Sequence, residues 1–174
     1  MPRSCGRKAR LPEPDRLSLR PYEPTDGPTV IGWVTSDEEA RRWASLDERP
    51  RDPGILGRWH AEAGVRGYVA LRAGAPVAYG EIWEDADEQE AEIARLIVDP
   101  ASRGSGIGRA LAGELLCEAR RLGWNDVWLR VAPDNPAALA AYAAAGFSRA
   151  PAAASRAFNQ GQPVAYVWLR APAP

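Results

Sequence analysis

A segment with three closely spaced glycines is the part of this sequence best suited to bind a ligand. Gly104, Gly106 and Gly108 separate an apolar stretch at residues 91–98 from an Ala/Leu-rich stretch that predicts a helix. Because glycine has no side chain, the backbone of such a loop is accessible, and the first turn of the helix offers unpaired N–H groups and a positive dipole end. The pattern predicts an anion site, with a phosphate or pyrophosphate as the expected ligand.

Two familiar phosphate-binding loops do not fit this segment. A Walker loop needs a Gly-Lys-Ser/Thr sequence, yet the only lysine in the chain is Lys8. A dinucleotide-binding fingerprint needs a third glycine after two further residues, and the candidate positions hold Arg109 and Leu111. ATP, GTP and NAD are therefore disfavoured as ligands.

The segment does contain an arginine, Arg103, followed three residues later by Gly106 and five residues later by Gly108, between a predicted strand and a predicted helix. This arrangement resembles the Arg/Gln-x-x-Gly-x-Gly/Ala loop of the GNAT acetyltransferase superfamily, in which the loop binds the pyrophosphate of coenzyme A. The resemblance implies an α/β (α+β) fold, with a mixed, mainly antiparallel sheet of about six to seven strands flanked by helices. It covers roughly residues 91–150, where the further landmarks are Asn135, Pro136, Tyr142 and the Ala-Gly-Phe sequence ending at Phe147.

The same resemblance implies which residues hold acetyl-CoA, the expected co-substrate. In the family, the strand that matches Leu96, Ile97 and Val98 hydrogen-bonds the pantetheine arm and the acetyl carbonyl. The resemblance also implies that Asn135 contacts the coenzyme. An asparagine at the start of a helix can, however, stabilise the helix as a cap without touching a ligand. The implied coenzyme-binding residues are Leu96, Ile97, Val98, Arg103, Gly104, Ser105, Gly106, Ile107, Gly108, Arg109 and Asn135.

Acetyl transfer from a thioester to an amine needs one group that removes a proton from the amine and one that protonates the departing thiolate. Tyr142 is the candidate acid, because it falls seven residues after Asn135, as the acid tyrosine of the family does. The alternative is a core tyrosine that packs its ring near Leu139 and Phe147.

Glu92 is the first candidate for the base. It lies fourteen residues before Gly106, the spacing at which histone-acetylating members of the family carry their catalytic glutamate. Strand alternation places its side chain on the face of Leu96 and Val98, and burial of the carboxyl would raise its pKa towards neutrality. The alternatives are a solvated strand residue paired with an arginine, Glu81 on the preceding strand as the base, or a chain of water molecules.

One departure from the family concerns the acceptor. Members that acetylate the N-termini of ribosomal proteins carry a glutamate in the strand that matches residues 127–131, and this chain has Arg130 there, so that substrate class is put in doubt. Arg130 either pairs with a carboxylate of the substrate or forms a surface salt bridge.

Two further features are weaker indications of an acceptor site. Glu81 begins a run in which seven of twelve residues, up to Glu92, are acidic; the run either steers a cationic amine or is a solvated turn. Trp33, together with Trp43 and Trp59, either lines the acceptor cleft, as this region does in relatives, or packs in the core.

Size and composition restrict the remaining possibilities. The 174 residues, 45% of them hydrophobic, fit a single domain at residues 17–170, with flexible tails expected at 1–16 and 171–174. A net charge of −1 with scattered basic residues predicts neither a nucleic-acid nor a membrane surface. Cys5 and Cys117, with a single histidine to complement them, predict neither a disulfide framework nor a metal site. Without a secretion signal or membrane span in the sequence, a cytoplasmic location is expected.

The pattern of apolar residues and turn signals predicts the elements that position these residues. Strands are expected at residues 17–22, 68–72, 77–83, 92–98, 127–131, 147–150 and 164–169, the last two forming a closing hairpin. Helices are expected after Asp26, at residues 36–46, 55–62 and 107–122, and after Asn135.

Together, the residues and the resemblance predict an acetyl-CoA-dependent N-acetyltransferase. It would transfer the acetyl group directly to an amine of a small molecule or peptide, without a covalent enzyme intermediate. Two alternatives stay open: a non-catalytic acyl-CoA-binding module, and a transferase that uses a longer acyl-CoA. No motif identifies the acceptor, and because family members often dimerise, the resemblance leaves a homodimer open.

Overall fold

The computed structural model describes residues 16–174, which form one seven-stranded mixed sheet with helices on both faces. The strands are β1 (Ser18–Pro21), β2 (Val65–Arg72), β3 (Ala75–Asp85), β4 (Glu90–Val98), β5 (Asp126–Val131), β6 (Ser148–Arg149) and β7 (Val167–Arg170). The helices are α1 (Gly27–Gly32), α2 (Asp37–Ala44), α3 (Gly54–His60), α4 (Ile107–Arg121), α5 (Pro136–Ala144) and α6 (Ala152–Phe158).

The strands lie in the spatial order β1-β2-β3-β4-β5-β7-β6. Strands β1 to β4 form an antiparallel meander, and β7 is antiparallel to both of its neighbours, β5 and β6. Within residues 16–174, β4 and β5 form the only parallel pair, and α4 is the crossover helix that a parallel connection requires. This mixed, mainly antiparallel sheet flanked by helices confirms the fold class expected from the sequence.

Each face of the sheet has its own apolar cluster. On the side covered by α4 and α5, here called the α4 face, Leu111 and Leu115 are completely buried against the sheet. On the side covered by α1, α2 and α3, here called the α1 face, Val30 and Leu56 are completely buried and pack with Tyr79 of β3. Burying each such side chain contributes roughly 1.5–3 kcal/mol, so both layers hold the sheet in place.

Capping residues stabilise the ends of several helices. The Ser36 hydroxyl accepts a hydrogen bond from the backbone N–H of Glu39 at 3.1 Å, and α2 begins there. The Asn135 side chain accepts from the backbone N–H three residues later at 3.1 Å, at the start of α5. After α4 and α5 the chain leaves through Gly123 and Gly146, which have φ angles of 104° and 101° that favour glycine.

The regular pairing of β3 with β4 is interrupted by a bulge. On β3 the two partners Tyr79 and Glu81 are two positions apart, whereas the residues opposite them on β4, Ile97 and Ala94, are three positions apart. The extra residue is accommodated at Arg95, whose φ of 48° lies in the left-handed region. Such a bulge bends the strand and reverses the facing of the side chains that follow.

The bulge changes the faces that simple alternation predicts for β4. Ile93 packs on the α4 face, so its neighbour Glu92 points to the α1 face. Beyond the bulge, Ile97 belongs to the α1 face, whereas Leu96 and Val98 pack on the α4 face. The expectation that Glu92 shares a face with Leu96 and Val98 was therefore wrong, because alternation along a strand takes no account of an inserted residue.

The closing hairpin is also more elaborate than predicted. Strands β6 and β7 pair antiparallel, but the segment between them forms α6. Phe158 at the end of α6 packs its ring 5.0 Å from that of Trp128 and 4.8 Å from that of Trp168, on the α1 face. An alanine-rich segment has high helix propensity, and this aromatic contact gives the short helix its tertiary support.

The two predicted tails differ in what the structure describes. Residues 1–15, including Cys5, lie outside the described residues. In the segment 171–174, the backbone N–H of Ala171 donates to the Val127 carbonyl at 2.9 Å, and Arg120 donates to the Pro172 carbonyl. The first two residues of this segment are thus attached to the domain rather than forming a free tail. Across residues 16–174, none of the helices combines the length and the apolar character needed to cross a membrane.

Gly80 next to the bulge provides a test of the packing on the α4 face. A Cβ at this position would lie 2.6 Å from Leu115 Cδ1, and Leu115 is completely buried. We expect Gly80→Ala to lower the free energy of unfolding by about 1–3 kcal/mol. Gly113→Ala, within α4 and with nothing within 4 Å of the added Cβ, is the matched control and should stabilise by about 0.5–1 kcal/mol. Urea unfolding measures both, and equal effects would contradict the described packing.

Candidate active site

Strands β4 and β5 are paired only over the first four residues of each, and their separation beyond these pairs opens a cleft. The pairing ends at Ile93 and Leu129, just before the bulge at Arg95 bends β4 away. The cleft encloses about 760 Å³, within the range of small-molecule sites. It brings together ten of the eleven predicted coenzyme-binding residues: Leu96, Ile97, Val98, Arg103, Gly104, Gly106, Ile107, Gly108, Arg109 and Asn135.

The glycine loop at the start of α4 has the conformation that an anion site needs. Gly104 and Gly106 have φ angles of 75° and 82°, which other residues rarely adopt, and no protein atom lies within 4 Å of an added Cβ at either position. Ser105, the eleventh predicted residue, does not line the cleft; its hydroxyl donates to the Ser102 carbonyl at 2.6 Å and stabilises the loop. The fifteen-residue helix α4 directs its first N–H groups and positive dipole end towards this loop.

The Arg103 side chain anchors the loop to its surroundings. Its guanidinium donates to the carbonyls of Val98 and Trp33, at 3.0 Å each, and lies 2.7 Å from the Glu39 carboxylate. These contacts join the end of β4, the glycine loop and the segment between α1 and α2. The Trp33 ring itself is buried in the α1-face cluster and lines neither cavity, so the expectation that it contacts the acceptor has no support in the structure.

The features of the cleft fit coenzyme A. The accessible backbone of the glycine loop suits a pyrophosphate, and Arg109, exposed on the first turn of α4, adds a positive charge beside it. Beyond Ile93, the edge of β4 that faces the cleft is not paired with β5, so its backbone groups can bind an extended arm along Leu96 and Val98.

Tyr142 and Asn135 lie on the α5 wall of the cleft. Tyr142 is buried on the α4 face, yet it lines the cleft, and among residues 16–174 its hydroxyl has no hydrogen-bond partner. Burial alone raises the pKa of this hydroxyl, which keeps it protonated at neutral pH. Asn135 caps α5 and also lines the cleft, so its role as a cap is compatible with the predicted contact to the coenzyme.

A second cavity of about 220 Å³ adjoins the cleft on the α1 face. The two spaces share part of their lining, including Arg95 and Arg130. The second cavity also contains Glu92, Trp83 and Tyr166. Two ligands, one in each space, would therefore meet where β4 and β5 separate.

Glu92 lies in an environment that raises the pKa of its carboxyl group. Its Oε1 atom is buried and lies 3.1 Å from Arg130 Nε, but the N–H does not point along this line, and no hydrogen bond to that oxygen forms within residues 16–174. Desolvation is the main cause that raises the pKa of Glu92 to about 7; Glu90 acts in the same direction, while Arg130 and Arg95 oppose the shift. A carboxyl with this pKa can accept a proton near neutral pH.

Arg130 is surrounded by aromatic rings. Its Cζ atom lies 5.3 Å from the ring centre of Trp83, 5.2 Å from Tyr166 and 5.7 Å from Trp168. The side chain is largely buried, with 24% of its surface exposed. The interpretation as an ordinary surface salt bridge is therefore incomplete, because the guanidinium lies on the wall shared by both spaces.

Glu81, the second candidate base, is instead part of the core. It is completely buried and lines neither cavity. Its oxygens accept hydrogen bonds from Tyr79 at 2.5 Å, from Trp83 at 2.6 Å and from Arg95 at 2.9 Å, and His60 lies 3.7 Å away. With both oxygens engaged and no access to a ligand, this carboxylate holds Arg95 in place rather than taking a proton from an amine. The role proposed for it from the sequence is not supported by this geometry.

Nor does the acidic run form one negative surface beside the cleft. Glu81 is in the core, Glu84 pairs with Arg66 at 2.8 Å, and the other acidic residues except Glu92 lie in the β3–β4 turn or at the strand ends that flank it. That turn is at the opposite end of β4 from the bulge. Only Glu92 of this run lines a cavity.

Sequence reasoning did not identify Arg95 as a functional residue. Its guanidinium stacks 3.6 Å from the ring centre of Trp59 and 4.8 Å from that of Trp83, and its carbonyl accepts from Trp43 Nε1 at 2.7 Å. An arginine between the apolar residues Ala94 and Leu96 of a strand was the available signal. Trp43 lines both spaces, while Trp59 supports the wall through Arg95.

Comparison with known proteins agrees with this geometry. The model described as the Acetyltransferase (GNAT) family matches residues 27–147. The chain is 37% identical over 131 residues to the N-alpha-acetyltransferase RimI of Mycobacterium tuberculosis, covering 70% of this chain and 80% of that protein. It is 32% identical over 156 residues to a mycothiol acetyltransferase of Thermobispora bispora, and 47% identical over 144 residues to an uncharacterized protein of Mycobacterium leprae. These alignments cover 83% and 77% of this chain but only 47% and 38% of those two relatives, so the chain spans less than half of their length.

Solved structures show the same fold. The structure of AAC(6')-Ib in complex with paromomycin and acetyl-CoA superposes with a TM-score of 0.72, covering 90% of this chain and 93% of that one. The identity is 19%, so this similarity concerns the fold alone.

The environment of Glu92 predicts a pH-dependent contribution to stability. In the unfolded chain the carboxyl loses its proton near its ordinary value of 4.5, whereas the folded chain keeps the proton up to about pH 7. The native state is therefore favoured by this group at low pH, and the advantage is lost as the pH rises between these values. Glu92→Gln removes the dependence, so its stability relative to the parent should increase by about 2–3 kcal/mol from pH 4.5 to pH 7.5. Urea unfolding of both proteins across this range measures the difference, and parallel curves would show that Glu92 is not desolvated.

Proposed function

Because the chain belongs to the GNAT family of acetyltransferases, we propose that it transfers an acetyl group from acetyl-CoA directly to an amine. The cleft at the separation of β4 and β5 and the adjoining second cavity carry this proposal, since together they join a glycine loop at a helix N-terminus to a candidate acid and a candidate base. The acceptor is the amine of a small molecule or a peptide.

Acetyl-CoA supplies a thioester, whose carbonyl carbon the amine attacks. The glycine loop and Arg109 hold the pyrophosphate, and the unpaired edge of β4 at Leu96–Val98 orients the pantetheine arm so that the thioester lies near the bulge. Backbone N–H groups on that edge stabilise negative charge on the carbonyl oxygen. Both partners are thus held together, which lowers the barrier through proximity before any proton moves.

Glu92 removes the proton from the acceptor. An alkyl ammonium loses its proton only near pH ~10 in water, so a carboxylate of raised pKa beside it assists the formation of the uncharged nucleophile. The carboxyl faces the second cavity, where the amine would enter. A base whose pKa is about 7 accepts the proton without being protonated permanently at physiological pH.

Tyr142 donates a proton to the departing sulfur. Its hydroxyl lies on the α5 wall opposite the end of β4, and its raised pKa keeps the proton available at neutral pH. No covalent enzyme intermediate is required, and Cys117 on α4 lines neither space.

A substitution in the glycine loop tests the binding of coenzyme A. Gly106 and Gly74 have φ angles of 82° and 80°, and neither has a protein atom within 4 Å of an added Cβ. Alanine at either position should cost about 1–2 kcal/mol of stability for the left-handed backbone. Only Gly106→Ala should also raise the Kd for CoA, by at least tenfold, because its Cβ enters the space of the pyrophosphate. Isothermal titration calorimetry with CoA measures this, and equal affinity of the two variants would contradict the proposed cleft.

A thiol-release assay with acetyl-CoA and a panel of amines tests the chemistry. With the best amine found, Tyr142→Phe and Glu92→Gln should each lower kcat by about 10²-fold while CoA still binds, since each removes a proton-transfer group. Tyr68→Phe is the control: this tyrosine is buried, lines neither the cleft nor the second cavity, and donates a hydrogen bond to Glu118. Its kcat should match that of the parent. Unchanged turnover by Tyr142→Phe would overturn the assignment of the acid.

Binding of CoA without turnover of any amine would instead support an acyl-CoA-binding module. Comparison of acetyl-CoA with longer acyl-CoA thioesters in the same assay measures the chain-length preference.

A further inference from the structure

The second cavity contains three arginines, and two of them pair with carboxylates other than the candidate base Glu92. Arg42 lies 2.9 Å from the Asp134 carboxylate and 2.5 Å from that of Glu38. Arg95 lies 2.9 Å from the buried Glu81 carboxylate, and its guanidinium is fixed between two tryptophan rings. Neither guanidinium needs the charge of a ligand.

Arg130 is different. A guanidinium carries five N–H donors. Nε of Arg130 lies beside Glu92 at 3.1 Å, and Nη1 makes a long contact of 3.4 Å with Gln162 Oε1. Its Nη2 group has no acceptor within residues 16–174. The guanidinium of Arg130 therefore has N–H donors available on the wall between the cleft and the second cavity. The planar arrangement of these donors matches the two oxygens of a carboxylate.

The aromatic rings around the second cavity already hold cations from the protein. Trp83 lies under both Arg95 and Arg130, and Tyr166 lies beside Arg130. Aromatic faces of this kind would otherwise attract the ammonium groups of a ligand. Since the arginines occupy them, an acceptor with several positive charges would meet like charge here, which disfavours its binding.

A place for a single amine lies next to Arg130. Glu92 lines the second cavity with 17% of its side chain exposed, while its Oε1 atom is buried and has no hydrogen-bond partner within residues 16–174. An amine that approaches the exposed part of this side chain from the cavity would lie next to the donors of Arg130, because Arg130 Nε and Glu92 Oε1 are 3.1 Å apart. The cavity of about 220 Å³ admits a molecule of the size of an amino acid.

We propose that the acceptor is a small monoamine that carries a carboxylate close to the amine, as an amino acid does. Arg130 binds that carboxylate through its fork of donors while the amine lies at Glu92. This inference rests on the proposed acetyl transfer and adds the class of acceptor. It distinguishes this site from one built for polyamines or other polycationic acceptors.

The test compares amines that differ only in the carboxylate. Thiol release from acetyl-CoA is measured with the protein amino acids, their α-amides and the corresponding decarboxylated amines, and with spermidine and kanamycin as polycationic probes. For the best amino acid, the parent should show a kcat/KM at least tenfold higher than for the matched amide, because the amide lacks the charge-assisted bonds to Arg130.

Variants assign this preference to Arg130. Arg130→Gln should reduce the tenfold preference to less than threefold, and Arg130→Lys should give an intermediate value, because lysine keeps the charge but not the fork. Arg170→Gln is the matched control: Arg170 stacks 4.9 Å from the Trp128 ring, pairs with Asp126 at 2.8 Å and lines neither cavity. It should retain the preference of the parent. CoA affinity by calorimetry shows that each variant is folded.

Different results separate this inference from the proposed function. Turnover of amines without preference for the carboxylate, preference for spermidine or kanamycin, or retention of the preference in Arg130→Gln would overturn the inference and leave acetyl transfer intact. Binding of acetyl-CoA without turnover of any amino acid would likewise overturn it. Failure of acetyl-CoA both to bind and to react would overturn the proposed function itself.

Discussion

The β-bulge at Arg95 is the constraint on which the rest of the site depends. An arginine in the left-handed region costs on the order of 1–3 kcal/mol, so the conformation persists only because its surroundings stabilise it. The Glu81 carboxylate binds the guanidinium, Trp59 stacks on it, and Trp43 donates to the carbonyl. The bulge in turn bends β4 away from β5, which creates the cleft and exposes the strand edge along which a ligand can bind.

Planar guanidinium groups, rather than ammonium groups, organise this face of the sheet. Arg95 and Arg130 each contact carboxylates through their edges and aromatic rings through their faces, a combination that lysine does not provide. The chain has a single lysine, Lys8, and 22 basic residues in total, so arginine supplies almost all of its positive charge. In the proposed function, the same charges that build the wall also determine what the second cavity accepts.

Features encoded by adjacent residues were predictable from the sequence. The glycine loop, the cap at Asn135 and the mixed sheet all follow from local patterns or from the spacing of the family landmarks. The bulge was not predictable in this way, because Arg95 lacks the glycine signal, and its stabilising partners Trp43 and Glu81 lie 52 and 14 positions away in the sequence. The wrong facing assigned to Glu92 is a consequence of this one inserted residue.

The contacts of Arg103 have a consequence for the thermodynamics of ligand capture. A segment of glycines is expected to sample many backbone states, and restricting each residue costs roughly 1–2 kcal/mol of conformational free energy. Here the adjoining arginine fixes the segment to the Val98 and Trp33 carbonyls and to Glu39. The conformational entropy that a flexible loop would lose when a ligand binds has therefore already been lost during folding. Less of the interaction energy with a ligand is then offset by ordering of the loop.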